Sequence, residues 1–140
     1  MRRLMFAALV ATPLFGCHLG PRLDRYPVAV RPEGVTVAAS GRHGSIQGEL
    51  LEVRDAGVVL LVTPVGGGAS RVVLLPYVAI REARLLGLHK NDTLRDGQPP
   101  AAGQRQRFRK LSRFPQGLSE ELMRQLLDAY GQAELERIPE

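Results

Sequence analysis

Few residues in this 140-residue chain have types and spacings suited to chemistry. The one cysteine, Cys17, could act as a nucleophile or carry a covalent group; being alone it makes no internal disulfide, so it is free, bound or modified. The histidines His18, His43 and His89 suit proton transfer or metal ligation, but they stand apart in sequence. No H-E-x-x-H, C-x-x-C or serine nucleophile-elbow pattern accompanies them. Glu49 and Glu52 could pair as acid and base, yet on a regular strand residues of opposite parity point to opposite faces. Asp92 and Asp96 fall in a polar stretch where solvation is their expected role. The remaining group is cationic: Arg105, Arg107, Arg109, Lys110 and Arg113, with no acidic residue between Gln104 and Gln116. Such a run is suited to contact with a polyanion and is the candidate contact region. No catalytic, cofactor or metal site is expected from this inventory.

The surroundings of Cys17 point to modification. Arg2 and Arg3 precede an apolar run over residues 4–15, broken only by Thr12 and Pro13. A membrane-spanning helix needs about 20 apolar residues, so this shorter run with its basic flank reads as an export signal. The run closes on Leu14, Phe15, Gly16 and Cys17, with a leucine three residues before the cysteine and a glycine immediately before it. This resembles the lipobox of bacterial lipoproteins, although Phe15 is large where that pattern usually has a small residue. The resemblance implies removal of residues 1–16, diacylation of Cys17 and acylation of the new amino terminus, with palmitate among the expected chains. Each buried CH₂ contributes about 0.8 kcal/mol, and several chains anchor stably where one is marginal. In lipoproteins of two-membraned bacteria an aspartate after the cysteine commonly marks inner-membrane retention. His18 stands at that position, which implies an outer-membrane location facing the periplasm in such a host.

Loss of Arg2 and Arg3 would leave 17 basic against 14 acidic side chains, so the balance of +5 falls to +3. Part of the basicity is therefore a targeting feature. Residues 17–33 are rich in proline and charge and read as a tether between lipid and domain.

The positions that could do chemistry must be held by a β-rich body over residues 34–88. SIQGELLEV, GVVLLVTP, SRVVLLP and VAIREARLL are apolar runs separated by DAG, GGGAS and the proline of PYV. Their β-branched residues favour pleated backbone and the punctuation supplies turns. Residues 35–40 offer a fifth strand. A bulge near Gly48 is expected to bend the first long run. Val58 to Val62 is continuously apolar, so it is sealed on both sides, or packs one face on the core and the other on the C-terminal helix. GGGAS lacks the following Gly-Lys-Ser/Thr of a phosphate-binding loop and reads as a mobile hairpin turn.

The glycine inside IQGELLEV, the DAG turn into GVVLLV, the RVVLLP strand and the PYVAIREARL return together resemble the small SH3-like or Sm-like barrels. The resemblance implies a mainly β fold, an SH3-like or Sm-like antiparallel barrel plugged by Ile80 and covered by one C-terminal α-helix. Sm-like proteins bind RNA through loop aspartate and asparagine residues. Asp55 occupies one turn here but no matching asparagine pair accompanies it, and an exported chain rarely meets RNA, so nucleic acid is not expected as a partner.

Residues 89–117 read as a basic linker or extended wrap, rich in Gly, Pro, Gln and charge. Within it Phe108, Leu111 and Phe114 are spaced for a short amphipathic helical turn. Residues 118–138 read as a helix. Ser119 is suited to cap it, Glu120 and Glu121 fall in its first turn, and Leu118 is placed to staple against Met123. Leu122, Met123, Leu126, Leu127, Ala129, Tyr130 and Ala133 form its apolar face, with Gly131 as a stop or kink. That face is wider than a coiled-coil seam, which favours packing on the sheet over dimerisation.

The expected function is that of a non-enzymatic, membrane-anchored envelope lipoprotein with an adaptor, assembly or structural role, as a monomer or weak oligomer. Its partners would be the membrane, through lipid on Cys17, and an anionic lipid, envelope glycan or acidic protein at the basic run. The alternative is a small envelope enzyme or ligand-binding domain, with a site between the barrel loops and the basic linker where His43 and His89 would converge.

Overall fold

A computed structural model describes residues 33–42, 44–87 and 93–140. Residues 1–32, which hold the expected export signal, Cys17, His18 and most of the expected tether, lie outside the described residues, as do His43, His89 and Asp92. The five expected strands are present as β1 (Thr36–Gly41), β2 (Gly44–Val53), β3 (Gly57–Val62), β4 (Arg71–Pro76) and β5 (Ile80–Leu85). Two further short strands, β6 (Thr93–Arg95) and β7 (Glu136–Arg137), and two helices, α1 (Ala102–Leu111) and α2 (Glu120–Ala129), complete the fold. The chain is mainly β, as its valine-rich runs predict.

The strands form one sheet in the order β6-β5-β1-β2-β3-β4-β7. Every described pairing is antiparallel except β4 with β7, which is parallel. The ladder does not close on itself. It is nevertheless strongly curled, as chain connectivity requires. Three strands separate β4 from β5 in the sheet, so in a flat sheet they would lie about 19 Å apart at the usual strand spacing. Only the 3₁₀ turn Tyr77–Ala79 joins them, and three such residues rise about 6 Å. The sheet must therefore bend until the end of β4 meets the start of β5.

Curling creates an inside and an outside, and both are apolar. The inner cluster draws Val37, Leu50, Val58, Leu60, Val73 and Ile80, among others, from all five long strands. Ile80 is 3% exposed, the interior position expected of it. The outer cluster joins Leu51, Val59 and Val72 to the α2 residues Leu126 and Leu127. Val58 to Leu60 are accordingly buried on both faces of the sheet. This is the arrangement anticipated for that run, with the core on one side and the C-terminal helix on the other.

The bulge in β2 lies at Leu51, not at Gly48. Leu50 pairs with Leu60 and Glu52 with Val59, leaving Leu51 as the extra residue. One inserted residue reverses parity, so Leu50 and Val53 both face inward although they are three apart. It also corrects the expectation for Glu49 and Glu52, since both carboxylates bond to residues of the segment after α1.

Within the expected linker, the described residues 93–117 carry regular structure, β6 and α1. After Pro99 and Pro100 the sequence AGQRQRFRKL is mostly Ala, Gln, Arg, Lys and Leu, good helix formers that outweigh Gly103 in the first turn, and Arg109 and Lys110 fall in the last turn where the helix dipole favours cations. Phe108 of α1 is fully buried in the inner cluster and Leu111 packs against it. Helix α2 is shorter than residues 118–138. The Ser119 hydroxyl accepts from Leu122 N at 3.2 Å at its start, and Gly131 with φ of 68° follows its end. Leu118, Leu122, Met123 and Tyr130 pack on the outer cluster, so the large apolar side chains of that face are covered within the chain, while Ala129 is exposed. Ala133 lies beyond the helix and is exposed.

Candidate functional site

The candidate site is built where the chain enters the fold, around the bulge of β2. Val35 N donates to Leu111 O at 2.9 Å, and Leu50 N donates to Val35 O at 2.8 Å. Arg113 N and Phe114 N donate to the carbonyls of Leu50 and Leu51, each at 2.9 Å. The bulge thus supplies, from Leu50 and the extra residue Leu51, the carbonyls that hold the segment following α1. Gly34 is required by this crossing, because a Cβ there would sit 2.1 Å from Leu50 O and 2.7 Å from Arg113 N.

One ion pair locks the same crossing. Glu49 Oε1 accepts from Gly34 N at 2.6 Å and from Arg113 Nε at 2.7 Å, and its other oxygen accepts from a terminal nitrogen of Arg113. The Arg113 side chain is only 3% exposed and that of Glu49 15%. Burial works against the Arg113 charge, but the hydrogen bonds and charge of Glu49, with Tyr130 beside them, hold the guanidinium above its ordinary range. Glu52 plays a parallel part, accepting from Leu118 N at 3.1 Å and from Arg54 Nε at 2.7 Å. Both carboxylates are committed to positioning the segment between the helices.

The cationic run therefore divides. Arg113 turns inward and is not available as a contact residue. Arg105 reaches Asp55 in the β2–β3 turn at 2.6 Å. Close by, the Tyr77 hydroxyl donates to Arg54 O at 3.0 Å. Burial pushes the Tyr77 phenol up to about 12, with Arg105 opposing and Asp55 reinforcing the rise. Arg107, Arg109 and Lys110 are exposed, on the side of α1 away from Phe108. Helical spacing puts Arg107 and Lys110 one turn apart, with Arg109 flanking them.

Charge is segregated between the two helices. From residue 118 to the end the chain carries six carboxylates against Arg124 and Arg137, whereas residues 104–116 carry cations alone. Two hollows accompany these features. One of about 240 Å³ lies between the β1–β2 hairpin and the C-terminal tail, lined by Gly41, Ile46, Leu75, Ile80 and Ile138 among others. A broader cleft borders the chain's point of entrance, lined by Gly34, Glu49, Arg113, Tyr130, Thr63 and Val65 among others. Among the described residues no group of three or more His, Cys, Asp or Glu is placed to hold a metal ion, and no helix is long and apolar enough to cross a membrane. Asp96 is exposed in the turn after β6.

The roles of Glu49, Glu52 and Tyr77 were not predictable from motif spacing. A weak signal existed for the first two, since carboxylates embedded in an apolar strand call for buried partners, and Arg113 sits between Leu111 and Phe114. No family model, curated protein or solved structure matches the chain.

Proposed function

We propose that this protein is a non-enzymatic lipoprotein of the cell envelope, held at a membrane by acyl chains on Cys17, with its β domain serving as an adaptor or structural element. The observation that carries the reading is the ordered sequence of Arg2 and Arg3, the apolar run 4–15 and the lipobox-like Leu14, Phe15, Gly16 and Cys17. The folded part is compatible with such a role. The carboxylates best placed for chemistry, Glu49 and Glu52, hold backbone amides and arginines, and three cations of the basic run, Arg107, Arg109 and Lys110, are exposed on α1. In a two-membraned host the absence of aspartate at residue 18 favours the outer membrane, facing the periplasm.

A second reading, a small envelope enzyme or ligand-binding domain, draws on the cleft beside Gly34, Glu49, Arg113 and Tyr130. A ligand there would compete with Arg113 for Glu49. Mass spectrometry of the protein from its own cells, beside a Cys17→Ala variant, tests the anchor. A mature chain beginning at an acylated Cys17, with the added mass lost in the variant, is expected. An intact Met1 terminus or a bare Cys17 would sink the reading. Crosslinking in the envelope then identifies the neighbours of the domain.

A further inference from the structure

We infer that the outer face of α1, formed by Arg107, Arg109 and Lys110, is a second membrane contact that lies on anionic phospholipid headgroups and orients the anchored domain. The inference rests on the acyl-anchor reading for the nearness of the bilayer, and on the described structure for the face itself.

Where the chain outside the described residues arrives carries the first part of the argument. Cys17 and Glu33 are separated by a segment that reaches at most about 50 Å when fully extended, at roughly 3.3 Å per residue. An acyl anchor on such a tether fixes the domain near the bilayer without choosing which side faces it. The tether meets the fold at Gly34 and Val35, which are bonded directly to the end of α1 through Leu111 O and to Glu49 beside Arg113. The last residue of the basic helix is thus bonded directly to the anchored end. Confinement by the tether also raises the local concentration of headgroups, so a weak contact is sufficient to set orientation.

Charge complementarity carries the second part. Phe108 and Leu111 pin α1 to the inner core, which leaves the three cations on a rigid outward face. Six of the chain's 14 acidic side chains lie on and after α2, which packs on the outer surface of β3 and β4, and none lies on α1. Contact through α1 brings cations to an anionic surface, and the rigid attachment of both helices to the sheet keeps the acidic end from replacing it. A glycan or an acidic protein offers similar charge, but neither is brought to this helix by the tether.

The test uses the full chain purified from its own cells and reconstituted into vesicles of phosphatidylglycerol with phosphatidylethanolamine, or of phosphatidylcholine alone. Amine modification of Lys110 is followed by peptide mass mapping. Protection in the anionic vesicles that is lost in phosphatidylcholine and at high salt is expected. Three cations near an anionic surface favour contact on the order of a hundredfold, and Arg107→Gln with Arg109→Gln should weaken it about thirtyfold. Phe108 and Leu111 are untouched in that variant, so an unchanged circular dichroism spectrum is expected. Equal labelling of Lys110 in both vesicle types, or equal protection in the double variant, would overturn the inference. Protection confined to native envelopes would also overturn it, in favour of a glycan or protein partner. Acylation of Cys17 is read from the same samples, so failure of the anchor and failure of the basic face give different results.

Discussion

The side-chain amide of Gln132 takes both backbone groups of Val72, accepting from its N–H at 2.5 Å and donating to its carbonyl at 3.0 Å. Val72 lies on β4, whose outer edge among the described residues is otherwise met by the two-residue strand β7 and by Ile138 N on Leu74 O. An amide side chain here does the work of a strand residue. It continues the ladder at a position the short β7 does not reach, and so blunts an edge that could pair with another chain.

Replacing Gln132 by Ala should therefore cost about 1–2 kcal/mol, through two lost hydrogen bonds to a half-buried backbone. Concentration-dependent association should rise as well, because the freed groups of Val72 template strand pairing. Chemical denaturation measures the first effect and light scattering the second. Unchanged values in both would show that the amide contributes nothing.

Breaking the pair at the chain's point of entrance should be more severe. Glu49→Ala leaves the guanidinium of Arg113 buried without its carboxylate and Gly34 N without its acceptor, at an expected cost of about 3–5 kcal/mol. Combining Glu49→Leu with Arg113→Met should recover most of that loss, since neither charge is then stranded. Urea midpoints of the single and double variants decide this. A double variant no better than Glu49→Ala would mean the loss came from Gly34 N alone.

Tyr77 predicts an alkaline limit to stability. Its folded value, near 12, lies above the ordinary 10.0, so the folded state favours the neutral phenol. The associated stabilisation is complete below pH 10 and is lost as pH rises toward 12, by about 2–3 kcal/mol in all. Titration of tyrosinate absorbance should show a late phenol that is absent in Tyr77→Phe. That variant should also lose the hydrogen bond to Arg54 O, worth about 1 kcal/mol.

Helix α1 should divide by face in its response to substitution. Phe108→Ala removes a fully buried ring from the inner core and should cost about 3–5 kcal/mol. Lys110→Gln on the opposite face should change stability by no more than about 0.5 kcal/mol. Equal losses at the two positions in thermal melts would contradict the described packing of the helix.

Several elements were legible before any tertiary contact was known. Alternating and continuous apolar runs marked β1 to β5, DAG and GGGAS marked turns, and Ser119 followed by Glu120 and Glu121 marked the start of α2. These are local properties, in which propensity, capping chemistry and side-chain period agree within a few residues of one another. The double burial of Val58 to Leu60 was readable for the same reason, since an unbroken apolar strand has no face to give to water.

Other features exist only because distant parts of the chain meet. Helix α1 presents just Phe108 and Leu111 to the core, so its apolar periodicity is too sparse to separate it from a basic linker. Strands β6 and β7 are too short to carry a pattern and form because a neighbour offers an edge. The bulge at Leu51 moves Glu52 to the side of Glu49, and pairing with the segment after α1 then makes Arg113 a buried anchor while Arg107, Arg109 and Lys110 stay outside. The chain alone determined its β character, the basic run and the motif around Cys17. Which cations of that run face water was decided by tertiary structure, because burial depends on partners more than sixty residues away, as Glu49 is from Arg113.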